Sequence, residues 1–134
     1  MSVFFDTNVL AYQLDDSQLA KQRRAREIFA ERAADAVIST QVMIELHAVL
    51  TRKFRRSRDQ AMRMLSALDV DVVPTDAALV LAAAATASAH QLSIFDALVL
   101  EAAVSAGCAE LWSEDLTDGA TLRGVRIVNP FRAL

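Results

Sequence analysis

Short apolar runs recur along the chain at Val3 to Phe5, Ala36 to Ser39, Val70 to Val73, Glu110 to Ser113 and Val125 to Val128. The first, in "SVFFDTNVLAYQL", has no polar alternation, as expected of a strand buried on both faces of a parallel sheet. Helical patterns fill the intervals. Ser17 is expected to start a helix reaching about Ala34, and Thr40 another reaching about Arg56. Ser57 and Gln60 have capping-box spacing for a third, Thr75 caps an alanine-rich fourth, and Ser93 precedes a fifth ending near Gly107. Strands that alternate with helices in this way predict an α/β fold.

At 134 residues the chain is expected to form one domain, residues 1–134, with a substantial core. Apolar residues make up 54% and charged residues 23%, which excludes a disordered chain. There is no repeat, linker or low-complexity tract, and three glycines and two prolines leave room only for tight connections. Ala77 to Ala85, the longest apolar stretch, is too short to span a bilayer. No secretory signal pattern opens the sequence, and a single cysteine, Cys108, forms no intrachain disulfide. Both fit a cytoplasmic protein with no membrane contact.

Parallel strands joined by right-handed crossovers leave their carboxyl ends on one edge, where ligands of open α/β sheets bind. Asp6 follows the first run, and Glu114 and Asp115 follow the fourth. The usual partner of a helical acid is a cation three or four residues away. Glu45, in "TQVMIELHAVL", has Gln41, Val42, Ala48 and Val49 at those spacings. Asp96, in "SIFDALVLEAA", has Leu92, Ser93, Val99 and Leu100. Neither has a local cation.

Simpler roles exist for several of these acids. Asp6 can cap a helix beginning near Thr7, Asp96 stands at capping-box spacing from Ser93, and Asp115 and Asp118 lie in the turn-like "SEDLTDG". Glu45, mid-helix among Val, Met, Ile and Leu, has no capping role. Four carboxylates from separate segments at one edge repel one another, by about 4 kcal/mol per pair at a separation near 4 Å and an effective dielectric of ~20. Protons or a cation must offset that. Oxygen ligands without a His or Cys cluster favour Mg²⁺ or Mn²⁺ over zinc, and His47 and His90 read as ordinary helix residues.

The net charge of −3 is unevenly spread. Residues 1–66 carry 11 Lys/Arg against 8 Asp/Glu, and residues 67–134 carry 3 against 9. "KQRRAR", Lys21 to Arg26, and "RKFRRSR", Arg52 to Arg58, are the dense basic runs, either a solvated helix face or a surface for phosphates or an acidic partner.

"VFFDTNVLAY", "ISTQVMIEL", "LSIFDALVLEAA" and "LWSEDLTDG", followed by "GVRIVNPF", resemble in order the motifs of the PIN domain, in particular the VapC-type toxins of bacterial toxin–antitoxin pairs. The resemblance implies a PIN-like three-layer fold, with a central, mostly parallel sheet of about five short strands flanked by helices. It also implies a metal-dependent endoribonuclease that uses Mg²⁺ or Mn²⁺ and leaves a 5′-phosphate and a 3′-hydroxyl. The family's acids map onto Asp6, Glu45, Asp96 and Asp115, with Asn8 and Ser39 in supporting positions. Glu114 stands where many members carry a neutral residue, and Asp118 matches a further acid that some have. An RNA substrate, a small cognate antitoxin and a homodimer are the implied partners, with Arg52, Lys53, Arg55 and Arg56 as contacts for RNA or antitoxin.

Two other classes remain open at this point. A phosphatase of the haloacid-dehalogenase type also places Asp after its first strand, but it wants an acid where this chain has Asn8 and a late Lys where this chain has none. A PIN fold that only binds RNA or protein is the other.

Overall fold

The computed structural model shows six strands and six helices, with short 3-10 turns at Tyr12–Leu14 and Ala33–Asp35. The strands are β1 (Val3–Phe5), β2 (Ala36–Ser39), β3 (Asp71–Val73), β4 (Glu110–Trp112), β5 (Thr121–Leu122) and β6 (Val125–Val128). The helices are α1 (Thr7–Ala11), α2 (Leu19–Arg32), α3 (Thr40–Arg52), α4 (Arg58–Ser66), α5 (Ala77–His90) and α6 (Ile94–Ser105). One sheet runs in the order β3-β2-β1-β4-β6-β5 and is parallel except for the last pair.

The unbroken apolar character of β1 follows from its place in the middle of that sheet. Val3, Phe4 and Phe5 are all buried, and Phe5 meets Phe29 and Trp112 at ring-centroid distances of 6.0 and 5.7 Å. Each such side chain contributes roughly 1.5 to 3 kcal/mol through burial. On α3, the spacing of Val42, Leu46 and Leu50 makes one buried stripe. Helix α6 is buried from Ala97 to Ala103, packs across β2, β4 and β6, and is backed by α5. No single helix is long and apolar enough to cross a membrane.

Local chemistry moves several predicted boundaries. Ser17 does not start α2, because its N–H and hydroxyl both donate to the Asp15 carboxylate, and Gln18 is the N-cap. Helix α3 is capped by Ser39, whose hydroxyl accepts from the Val42 N–H at 3.2 Å. It ends at Arg52, short of Arg56, and Arg55 takes a left-handed φ of 54°. Asp76, in place of Thr75, caps α5, while Thr75 bonds the Thr40 hydroxyl and the Gln41 N–H and so ties the starts of α3 and α5 together. The boxes at Ser57 and the cap at Ser93 stand where expected.

The sheet has six strands where about five were expected. The additional strand, β5, is only two residues long and forms a hairpin with β6. Arg123 and Gly124 turn the hairpin with φ of 51° and 79°, the positive values that a tight two-residue turn demands. Arg123 is held in that conformation by paired donation to the buried Glu101 of α6, at 3.1 and 3.3 Å.

Candidate functional site

The chain leaves β1 in one direction toward β2 and β3, and the strand on the other side of β1 is β4. The strand order therefore reverses at β1, and the crevice beyond its carboxyl end is where such sheets bind ligands. Asp6 sits there. Its backbone N–H continues the ladder to the Trp112 carbonyl at 3.0 Å, which fixes it against the end of β4.

Asp6 is both a cap and a site residue. One carboxylate oxygen accepts from the Thr7 N–H at 2.8 Å and the other from the Ser113 hydroxyl at 2.7 Å. Only 5% of the residue is exposed. Burial pushes its pKa up to about 6, against the two hydrogen bonds, and the charges of Asp115 and Glu45 push the same way.

Glu45, just over a turn into α3, reaches the same cleft. Its carboxylate accepts from the Thr7 hydroxyl and from the Gln41 amide, each at 2.7 Å. The Gln41 amide also donates to the Phe95 carbonyl at 3.2 Å, which ties α3 to the first turn of α6. Asp115 accepts from the Asn8 amide at 3.2 Å, and its own N–H donates to the Ser113 hydroxyl at 3.1 Å. Asp96, in the first turn of α6, donates its backbone N–H to Ser93 Oγ at 3.1 Å. Burial raises the pKa of its carboxyl, and the charges of Asp115 and Glu45 add to that.

Six of these groups belong to one open cleft of about 430 Å³, which is lined by Asp6, Thr7, Asn8, Glu45, Asp115 and Glu114 and walled by Tyr12, Val49 and Phe54. Asp96 lies outside that lining and joins the group through its field. None of the ion pairs in the molecule engages Asp6, Glu45, Asp96 or Asp115; they serve Asp15, Glu27, Asp35, Asp59, Glu101, Glu114 and Asp118. The four carboxylates thus face one another with neutral donors only. No three of the acidic, His or Cys side chains are drawn close enough together to hold a metal ion without adjustment. The donor chemistry nonetheless fits a hard divalent cation: carboxylate oxygens, no soft ligand, and a repulsion that only positive charge or protons relieve.

Two of the expected supporting positions, Ser39 and Asp118, bond none of the four acids, and Glu114, given no role from the sequence, is set by an ion pair. Ser39 caps α3 by accepting the Val42 N–H, and its hydroxyl bonds none of the acids. Asp118 lies away from the cleft, where it accepts from the Asn129 N–H at 2.8 Å and from Arg132 at 2.9 Å. Glu114 borders the cleft but is neutralised by Lys21 at 3.0 Å and bonded by the Tyr12 hydroxyl. Asn8 does support the site. Ser113, Thr7 and Gln41 also do so; the signals they left in the sequence were the place of Ser113 at the end of the fourth apolar run and that of Gln41 four residues before Glu45.

The two basic runs part company. Lys21, Arg24 and Arg26 are bonded to Glu114, the Pro130 carbonyl and the Gln13 carbonyl, so they brace α2. Arg52 and Arg55 are exposed and Arg56 partly so, while Lys53 reaches the cleft wall. His47 and His90 stand on α3 and at the end of α5, outside the site.

A PIN domain family model matches residues 3–117 of the chain. No curated protein sequence matches it significantly. Among solved structures it is similar to a toxin–antitoxin complex from Klebsiella pneumoniae, with 24% identity, a TM-score of 0.71 and coverage of 97% of this chain and 98% of that one. A sarcin–ricin-loop-cleaving VapC toxin of Mycobacterium tuberculosis gives 21%, 0.67 and coverage of 82% and 87%. DNA-bound VapBC from Salmonella typhimurium gives 15%, 0.70 and coverage of 95% and 96%. At these identities the likeness is one of fold.

Proposed function

The chain belongs to the PIN domain family, and from that premise we propose that it is a Mg²⁺- or Mn²⁺-dependent endoribonuclease acting as the toxin of a toxin–antitoxin pair. The observation that carries this is the set of four carboxylates, Asp6, Glu45, Asp96 and Asp115, at the carboxyl edge of the sheet with none of them in an ion pair.

Asp6 and Asp115 are the residues to hold a metal, with Asp96 and Glu45 completing the donor set. When bound, such an ion lowers the pKa of a water and stabilises charge on the phosphorane. The protein's part is to fix the donors. Ser113 joins Asp6 to Asp115, Thr7 joins Asp6 to Glu45, and Asn8 holds Asp115 from the other side. Water then displaces the 3′ oxygen in line, leaving a 5′-phosphate and a 3′-hydroxyl.

An acidic cleft repels the RNA backbone, and the exposed cations at Arg52, Lys53 and Arg55, with the partly exposed Arg56, offset this. Relatives of similar fold are toxin–antitoxin complexes, which supports a small cognate antitoxin as partner. Ile44, Leu81 and Phe95, all more than 60% exposed, offer apolar surface for that partner or for a second copy. The lone, buried Cys108 suits a reducing cytoplasm. The phosphatase alternative lacks its acid at Asn8, and Lys21 is engaged by Glu114.

Purified protein incubated with structured RNA and Mn²⁺ should cleave it, and EDTA or Asp6→Asn should abolish cleavage. Cleavage that persists in EDTA would remove the metal mechanism. Growth arrest on expression, relieved by a co-expressed antitoxin, tests the toxin role; normal growth with confirmed soluble, RNA-cleaving protein would oppose it.

A further inference from the structure

Among the residues that line the acidic cleft, Lys53 is the one cation; Asp6, Asp15, Glu45, Glu114 and Asp115 supply the remaining charge. A long lysine side chain at a helix C-terminus is ordinarily free to wander in solvent, and Lys53 is 64% exposed. Here two features confine it. Its ammonium lies 3.7 Å from Asp15 Oδ2 and 5.8 Å from the centroid of the Phe54 ring.

Asp15 is unusual in its own right. It is 3% exposed, in a turn between the first 3-10 segment and α2, and its Oδ1 is fixed by both the N–H and the hydroxyl of Ser17. Its Oδ2 is buried and has no hydrogen-bond partner. An ionised oxygen left without a donor inside a protein is costly unless its field is used. The Ser17 bonds hold the Asp15 pKa below the usual carboxylate range, so the charge is present at neutral pH. The only cation it faces is Lys53, beyond hydrogen-bonding distance, an arrangement that orients the ammonium without saturating its three donors.

We propose that Asp15 is a positioning residue that holds Lys53 at the wall of the cleft, where the ammonium binds an RNA phosphate next to the scissile one. This rests on the nuclease function proposed above. Ala48, Val49 and Phe54 line the adjoining wall, so a nucleotide whose phosphate meets Lys53 lies against apolar surface, while Asp6 and Asp115 face the reacting group. Lys53 acts through charge and Asp15 acts through Lys53.

The test is steady-state cleavage of a fluorescent RNA oligonucleotide in Mn²⁺, with RNA affinity measured by anisotropy in EDTA as a second readout. Lys53→Ala should raise KM about tenfold while kcat changes less than about threefold, and it should lower the slope of log affinity against log salt by about 1. Lys53→Arg should restore KM to within about threefold of the parent. Asp15→Asn, whose carbonyl oxygen still accepts from Ser17, should raise KM by about three- to tenfold, and in the Lys53→Ala background it should add less than about twofold. Multiplying effects, or an Asp15→Asn change confined to the melting temperature, would overturn the positioning role. Equal RNA affinity in EDTA for the parent and Lys53→Ala would overturn the phosphate contact even if no RNA is cleaved. Absence of cleavage by the parent would instead count against the nuclease.

Discussion

The Ser113 hydroxyl donates to the Asp6 carboxylate at 2.7 Å across 107 residues of sequence, and the same oxygen accepts the N–H of Asp115. One small side chain therefore sets the distance between two acids of the cleft. Ser113→Ala should cost about 1 to 3 kcal/mol at neutral pH, because it strips a donor from a buried carboxylate. It should also lower RNA cleavage by about 10- to 100-fold, as loss of a hydrogen bond behind a metal ligand does. Urea denaturation and initial rates measure the two effects, and a variant with parental activity would show that Ser113 does not organise the site.

Asp6 makes metal-free stability depend on pH with a definite sign. Its folded pKa, about 6, lies above the ordinary 3.8. Below about pH 4 the carboxyl is protonated in both states; as pH rises through the folded value its contribution is lost, by about 3 kcal/mol in total. In EDTA, the stability of the parent relative to Asp6→Asn should therefore fall between about pH 4 and 7. Urea midpoints for both proteins across that range give the difference, and a gap that does not change with pH would rule the effect out.

Asp96 is linked to Ser93 through its backbone N–H, so Asp96→Asn leaves that cap bond in place. The substitution removes a charge that Asp115 and Glu45 oppose. In EDTA the variant should melt at the parental temperature or above it. It should then gain much less from saturating Mn²⁺, since ligand stabilisation follows affinity for the folded state. Equal destabilisation in both conditions, with the same metal-induced shift, would leave Asp96 as no more than a helix-start residue.

Neighbouring acids should separate cleanly. Asp115→Asn should reduce cleavage by about 100-fold or more, because its carboxylate has no cation of its own and is free for the metal. Glu114→Gln and Asp118→Asn should stay within about threefold, since Lys21 and Arg132 already engage those side chains. The partly exposed Lys21–Glu114 pair is worth about 1 kcal/mol or less. Comparable losses at all three positions would mean that ion pairing does not decide which acids act.

Much of this was legible because it depends on local pattern. Val3 to Phe5 read as a buried strand since nothing polar interrupts it, and Glu45 stood out since no cation lies three or four residues away. Ser113 and Thr7 were not legible, because small polar residues at strand ends and helix starts are common and only the fold reveals what they face; Gln41 stood four residues before Glu45, but nothing there said that its amide would bond the acid. Ser39 illustrates the opposite case: the family resemblance implies site support at this last residue of β2, yet its hydroxyl caps α3 at the Val42 N–H and bonds none of the acids. β5 was missed because two residues carry no periodicity, and its turn depends on an arginine that a distant glutamate holds in the left-handed region.

The central place of β1 also bears on when the acidic cleft is completed during synthesis of the chain. Asp6 emerges from the ribosome early, but its partners across β4, Ser113 and Asp115, emerge more than a hundred residues later. Contacts so distant in sequence form late and only after a long loop is closed. A nascent chain carrying α1 to α5 therefore holds Asp6 and Glu45 without Ser113 and Asp115, and the cleft is completed abruptly when β4 inserts beside β1. The four acids are in this way kept apart until most of the chain has been made.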